Sequence, residues 1–418
     1  MSDAGPTATD LRTDTAPDAA GGASPRELLG LTAWWVASVL VAVAHNGLWA
    51  TPNLESFSIA ADRFGTSPFA SATTNPGDYI LTDVSLTGLA HVLAQTTPHA
   101  FARMHLVLMV LGWGGLVLLT WRRWGPAVAR TLTVLLAVSP IVTVSMQWLG
   151  QPDPFTAGCG IAMVLVRRRW AVLTLGVLAG LTHPEQAVVM VIAAAAVVAA
   201  LPESEGRGRT FVLTALAAVG GVLLGRAITE LWFRLNDITI QRPRTAYLEL
   251  GASTFAEHHA QQPLGLLWTL WGPLWLVLAG LAAVAVARRR DPATRQLRTL
   301  WIAVGVIAVA ALVPVAVTLD ETRVYAVITA PLLVALAVAA TQLLDRRALL
   351  AASVATLLVG VVVPGGFATG VTSWRSQLDT ATMATFLVSG DQPDGSPALT
   401  FWLLSPFDFT IPTVPSGS

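Results

Sequence analysis

The chain has 418 residues, 54% of them hydrophobic and only 12% charged, with a formal net charge of zero. Soluble domains average about 25% charged residues, so so few charges cannot cover a water-facing surface, and zero net charge gives no long-range pull toward nucleic acid. The single cysteine, Cys159, excludes an intrachain disulfide, and no phosphate-cradling G-x-x-x-x-G-K-S/T motif is present, which argues against ATP-driven transport by this chain alone.

Residues 1–25 are rich in Ala, Gly, Thr, Asp and Pro without apolar periodicity, and read as a disordered cytoplasmic tail. The apolar stretch that follows is too long for a signal peptide. Apolar runs then recur at 28–48, 101–121, 127–148, 155–166, 170–182, 187–201, 211–233, 264–287, 300–319, 324–341 and 349–363. They predict an all-α polytopic membrane protein with about eleven transmembrane helices, in a domain covering 26–363. The fourth and fifth runs are short for a full crossing and need shielding by neighbours or a cavity to line.

All basic residues are Arg, and they mark the sides. Short turns carrying Arg122 and Arg123, Arg167 to Arg169, Arg207 and Arg209, Arg288 to Arg290, and Arg346 and Arg347 alternate with turns in which Arg is scattered. This predicts a multi-pass protein of the cell membrane, with a cytoplasmic N-terminus and an extracytoplasmic C-terminus. The long connections then lie outside: a first loop at 51–100, a second at 234–263, and a tail at 364–418.

The outer side also collects the ionisable residues. The first loop brings Asp78 and Asp83 in "NPGDYILTD", followed by a surface helix with apolar Leu86, Leu89, Val92 and Leu93. Arg103 and His105 stand near the start of the second run. "GQPDPF" places Asp153 in a Pro-stiffened turn, and "THPEQ" adds His183, Glu185 and Gln186. In "GRAITE", Arg226 and Glu230 are four apart and share a helix face. "LDETRVY" gives Asp320, Glu321 and Arg323, the last at a helix start suited to phosphate. Intramembrane charges are expensive and are functional candidates by default. Each also has a structural reading: Asp153 as a helix cap, Arg226 with Glu230 as a buried pair, His183 as a helix end, the others as loop or interfacial groups. Trp268, Trp271 and Trp275 suit an interfacial belt or the lining of a lipid groove, and the tail's "FWLLSPFDF" suits a cavity wall. The acids leave room for a divalent metal, but no ligand spacing requires one.

The block "GQPDPFTAGCGIAMVLVRRRWAVLTLGVLAGLTHPEQ", Gly150 to Gln186, resembles a recurring block of the GT-C superfamily of integral-membrane glycosyltransferases: an outer Gly-x-x-Asp turn, a short helix pair, then a Gly-Leu and a polar-Pro turn. "DETRVYAVITAPLL" is similar to a further block of bacterial mannosyltransferase-like members. Where that family carries a catalytic acid or acid pair soon after helix one, this chain reads "AHNGLWATPNLESF", with His45, Asn46 and Glu55; the next acids are Asp62, Asp78 and Asp83.

The resemblance implies a GT-C-like fold with extracytoplasmic loop helices. It implies transfer of a sugar from a polyprenyl-phosphate donor to a lipid, glycan or protein acceptor at the outer face. Asp83 or Asp78 would be the catalytic base. Arg323, His183, Arg103 and Arg226 would bind the phosphate. Asp153, Glu185, Gln186, Asp320, Glu321, Glu230 and His105 would contact substrate. Two other classes use the same residues: a transporter or flippase of a lipid-linked precursor, and a non-catalytic membrane protein of envelope assembly.

Overall fold

The computed structural model describes residues 25–46, 52–69, 78–240, 251–261, 263–318, 320–363, 365, 367–369, 371–373 and 380–390. Its elements in chain order are α1 (Pro25–Asn46), α2 (Pro52–Asp62), a 3-10 turn (Asp78–Thr82), α3 (Val84–Val92), α4 (Pro98–Trp124), α5 (Pro126–Ala137), α6 (Pro140–Gln147), α7 (Asp153–Leu165), α8 (Arg169–Thr182), α9 (Pro184–Ala200) and α10 (Arg207–Leu235). There follow α11 (Gly251–Gln261), α12 (Pro263–Trp271), α13 (Leu274–Ala287), α14 (Pro292–Gln296), α15 (Arg298–Ala310), α16 (Leu312–Val315), α17 (Glu321–Thr329), α18 (Leu332–Leu343), α19 (Arg346–Val362), a small antiparallel hairpin of β1 (Phe367–Thr369) and β2 (Val371–Ser373), and α20 (Thr380–Ser389).

The described residues of every apolar run named above are mainly helical, but the expected span count is not confirmed. Among the described residues four helices are long and apolar enough to cross a membrane alone, and up to seven spans result if each bent pair is one crossing. The bends are 51° between α5 and α6, 77° between α12 and α13, and 55° between α17 and α18. A proline stands at each break: Pro140, Pro273 and Pro331. Proline removes a backbone donor and clashes with the preceding turn, so a run that looks continuous in hydropathy splits into two helices. The helices α7, α8 and α9, of 13, 14 and 17 residues, stay short.

Of the two short runs, α7 is mostly buried, whereas α8 leaves Trp170, Leu173 and Leu178 exposed; the helices enclosed by protein are the two halves of the bent pair α17–α18. All nine residues of α17 are buried, and most of α18 is buried on every face. Trp271 is buried with them, and its indole N–H donates to Thr329 Oγ1 at 3.0 Å. The belt reading of this tryptophan is therefore corrected: its ring packs edge-on against Tyr325, inside the bundle.

Two local devices position the site. Gly176 and Gly180 on α8 face Gly221 and Gly225 on α10; a Cβ at Gly180 would collide with the Val222 carbonyl, and one at Gly225 with the Val177 carbonyl. Paired G-x-x-x-G spacings thus let the two backbones touch, which holds the C-terminal end of α10 beside the α8–α9 turn. At the other device, Gly150 takes φ +95°, a conformation open to glycine, and turns the chain from α6 into α7.

Over one end of the bundle α2, the 3-10 turn, α3 and the start of α4 form a second, smaller core. Leu54, Phe57, Ile80, Leu86 and Phe101 meet there, and Phe386 of α20 packs among them. The helices expected in the first loop are present. On α3, Leu86 is buried while Val92 and Leu93 remain exposed. The aromatic stretch 401–409 and the tail 1–24 lie outside the described residues.

Candidate functional site

The turn at Gly150 sets Gln151 and Asp153 inside the bundle, where both are buried. Arg323, two residues into α17, reaches them from the other side. Its Nε and one terminal nitrogen donate to Asp153 Oδ2 at 3.2 and 3.1 Å. The same nitrogen donates to Gln151 Oε1 at 3.2 Å, and the other donates to Asp320 Oδ2 at 3.0 Å. The Trp148 ring covers the guanidinium at 4.8 Å. His105, fully buried, bonds through Nε2 to the Gln151 carbonyl at 2.9 Å and meets Phe155 edge-on. The Arg323 side chain is only 4% exposed, and all its nitrogens are engaged. This group joins α7 to α17, with Asp320, 33% exposed, at its edge. Glu321, its neighbour in sequence, is buried and bonded to His259 Nε2 of α11 at 3.0 Å.

A second group is open. Arg226 Nη2 lies 2.5 Å from Glu230 Oε1 and Arg226 Nη1 3.7 Å from Glu185 Oε1. His183 Nδ1 stands 3.6 Å from Glu185 Oε2. The Arg226, Glu185 and Glu230 side chains are each about two-fifths exposed, and they line a cavity of about 510 Å³. Tyr79 and Thr82 of the 3-10 turn close one wall, and Arg234 and Asp237 extend it past the end of α10. Asp237 takes φ +52°, a left-handed conformation that Asp tolerates, and so turns the chain over the cavity.

A further cavity of about 510 Å³ lies between α3, α4, α7 and α8. Its walls are apolar, with Leu89, Met109, Trp113, Phe155 and Leu178 among them, and Cys159 at depth. Its polar edge is Ser85 and Thr182, whose hydroxyls meet at 3.1 Å. Thr82 lines the charged cavity and Ser85 the apolar one; likewise Glu185 lines the first and Thr182 the second. Asp83 and His183 occupy the two short turns between them, both buried.

Asp83 is built into the start of α3. Its Oδ1 accepts from the Leu86 N–H and the Ser85 hydroxyl, both at 3.2 Å, which caps the helix. Asp78 opens the 3-10 turn, and its side chain lies outside the described residues. Gln186 sits half-buried in the first turn of α9, and Arg103 is exposed on α4. The residues expected in one outer pocket therefore divide into a buried lock of Asp153, Arg323 and His105, with the partly exposed Asp320 at its edge, and an open set of Glu185, Arg226 and Glu230. Among the described residues no three His, Cys, Asp or Glu side chains are placed to hold a metal ion.

Arg234 and Asp237 were not singled out from the sequence, although Arg226, Glu230 and Arg234 recur every four residues on one helix face. Tyr79 and Thr82, three apart in "DYILT", carried a similar signal. No known family model matches the chain, and no curated protein and no solved structure is similar to it.

Proposed function

We propose that the chain crosses the membrane about eleven times in a GT-C-like arrangement and transfers a sugar from a polyprenyl-phosphate donor at its outer face. The observation that carries the reading is the pair of turns 82–85 and 182–185, which separate a charged cavity from an apolar one. A lipid-linked sugar phosphate has this same division: an apolar chain, a phosphate at the junction, and a polyhydroxyl head. The lipid chain fits the cavity between α4, α7 and α8, and the sugar phosphate fits the cavity of Arg226.

Arg226 and Arg234 are the accessible cations for the phosphate, with His183 at the junction. Glu185 and Glu230 accept hydrogen bonds from sugar hydroxyls and keep Arg226 oriented. Asp83 is the candidate base: the acceptor O–H gives its proton to the carboxylate, the acceptor oxygen bonds to the anomeric carbon, and the bond to the phosphate oxygen breaks, releasing polyprenyl phosphate. Arg323 with Asp153 acts as a positioning pair, holding the "GQPDPF" turn against the start of α17.

The experiment is transfer from a polyprenyl-phosphate sugar in proteoliposomes of the full chain. Loss of transfer with donor binding retained in Asp83→Asn supports an enzyme with this base. Full transfer by Asp83→Asn overturns that base. Equilibration of the lipid-linked sugar between leaflets, without transfer, replaces the reading with that of a carrier.

A further inference from the structure

At the end of the bundle opposite these cavities, long-range contacts of three arginines tie the Arg-rich turns together. Arg123 donates to the Val164 carbonyl and pairs with Glu203 at 3.2 Å. Arg207 donates to Thr299 Oγ1, and Arg288 donates to the Leu343 carbonyl at 2.8 Å. The last contact brings the end of α13 against the end of α18, next to the start of α19. Arg288, Arg289, Arg290, Arg346 and Arg347 are exposed there.

The acids nearby in sequence do not neutralise them. Asp345 spends its Oδ1 capping α19, accepting from the Arg347 and Ala348 N–H groups at 2.9 Å. Among the described residues neither it nor Asp291 forms an ion pair with these arginines.

An apolar groove of about 340 Å³ begins within about one helical turn of this Arg cluster, at Val284, Leu344 and Leu349. It runs between α5, α13, α18 and α19, with Val284, Leu344 and Leu349 at the Arg end and Pro273 and Val359 at the far end. From Val284 to Pro273 a helix rises about 16 Å, roughly half of a 30 Å hydrocarbon core. Groove length and mouth charge together match one leaflet's worth of an anionic phospholipid. We infer that this groove is a binding site for an anionic phospholipid, with an acyl chain along α13 and α19 and its phosphate between Arg288–Arg290 and Arg346–Arg347. Arg forks bind phosphate bidentately, and basic pockets between membrane helices suit such headgroups. The site is separate from the proposed sugar-transfer site and does not depend on it.

The test is native mass spectrometry of the full chain extracted from nanodiscs of phosphatidylcholine with and without phosphatidylglycerol. Retained phosphatidylglycerol is expected on the unmodified chain, with a loss of about fivefold per Arg neutralised in Arg346→Gln and Arg347→Gln. Gly280→Phe is expected to empty the groove without touching a charge, because a Cβ at Gly280 meets nothing within 4 Å. Should that variant fail to fold, Ser353→Leu fills the same groove from α19. Arg168→Gln with Arg169→Gln, at another turn of the same end, is expected to leave retention unchanged. Retention unaffected by filling the groove, or lowered equally by the Arg168 and Arg169 changes, would overturn the site in favour of diffuse surface attraction. Competition by soluble glycerol phosphate would show that the headgroup alone is bound and overturn the role of the groove.

Discussion

Arg323 and Asp153 hold each other at 3.1 Å in the interior of the bundle, one at the start of α17 and the other at the start of α7. Both are buried and bonded to each other, so the pair acts as a lock between the two helices. Removing one partner leaves the other charge uncompensated. Arg323→Leu is expected to destabilise the fold by about 3–5 kcal/mol, read as a fall in the thermal midpoint in detergent. Replacing both, Arg323→Met with Asp153→Leu, is expected to recover much of that loss; a double variant as unstable as the single one would show that the pair's partners, and not the pair, carry the effect.

Arg226 behaves differently because it is accessible. Arg226→Gln is expected to change stability by no more than about 0.5 kcal/mol, since a half-exposed ion pair contributes little. Binding of a polyprenyl-phosphate donor is expected to weaken about tenfold to a hundredfold, the worth of hydrogen bonds to a charged group. Titration of a fluorescent donor into proteoliposomes checks it, and unchanged affinity would remove Arg226 from the phosphate role.

At Asp83 the cap and the proposed base can be separated by choice of side chain. Asp83→Ala is expected to cost about 1 kcal/mol through loss of the cap, whereas Asn caps as well as Asp. Asp83→Asn should therefore keep the thermal midpoint and lose transfer. Comparing the two variants by unfolding and by turnover makes the distinction.

The contact between α8 and α10 depends on having no side chain at four positions. Gly180→Val or Gly225→Val is expected to push the helices apart and cost about 1–3 kcal/mol. Each should also weaken donor binding, by moving Arg226 away from Glu185. Gly220→Ala is the control: on the same helix its Cβ meets nothing within 4 Å, and both readouts should stay unchanged.

Cys159 is the only cysteine of the chain and lines the apolar cavity. An apolar alkylating reagent is expected to label it slowly in the empty protein and more slowly still once polyprenyl phosphate is bound. Labelling measured by intact mass, with equal rates in both states, would place the lipid chain elsewhere.

Much of this architecture was legible in the amino-acid order. Apolar runs gave helices because a long stretch without charges has few other ways to satisfy its backbone away from water. Prolines at 140, 273 and 331 were visible too, yet hydropathy averages over them, and the bends they cause reduced the count of straight spans. Arg226 with Glu230 was readable because helix periodicity alone puts residues four apart on one face.

The division of the charged residues was a matter of tertiary structure. Asp153 and Arg323 lie 170 positions apart, and no periodicity relates them. The sequence presents Arg323 and Arg226 as equivalent cations near one side of a membrane. Packing makes them different: α17 is enclosed on every face, so its arginine must be neutralised by buried partners, whereas the glycine contact carries α10 past the bundle's edge and leaves its arginine open. Sequence determined which groups were present and on which helices. Only the fold decided which would be sealed, because burial depends on what the rest of the chain places in front of a residue.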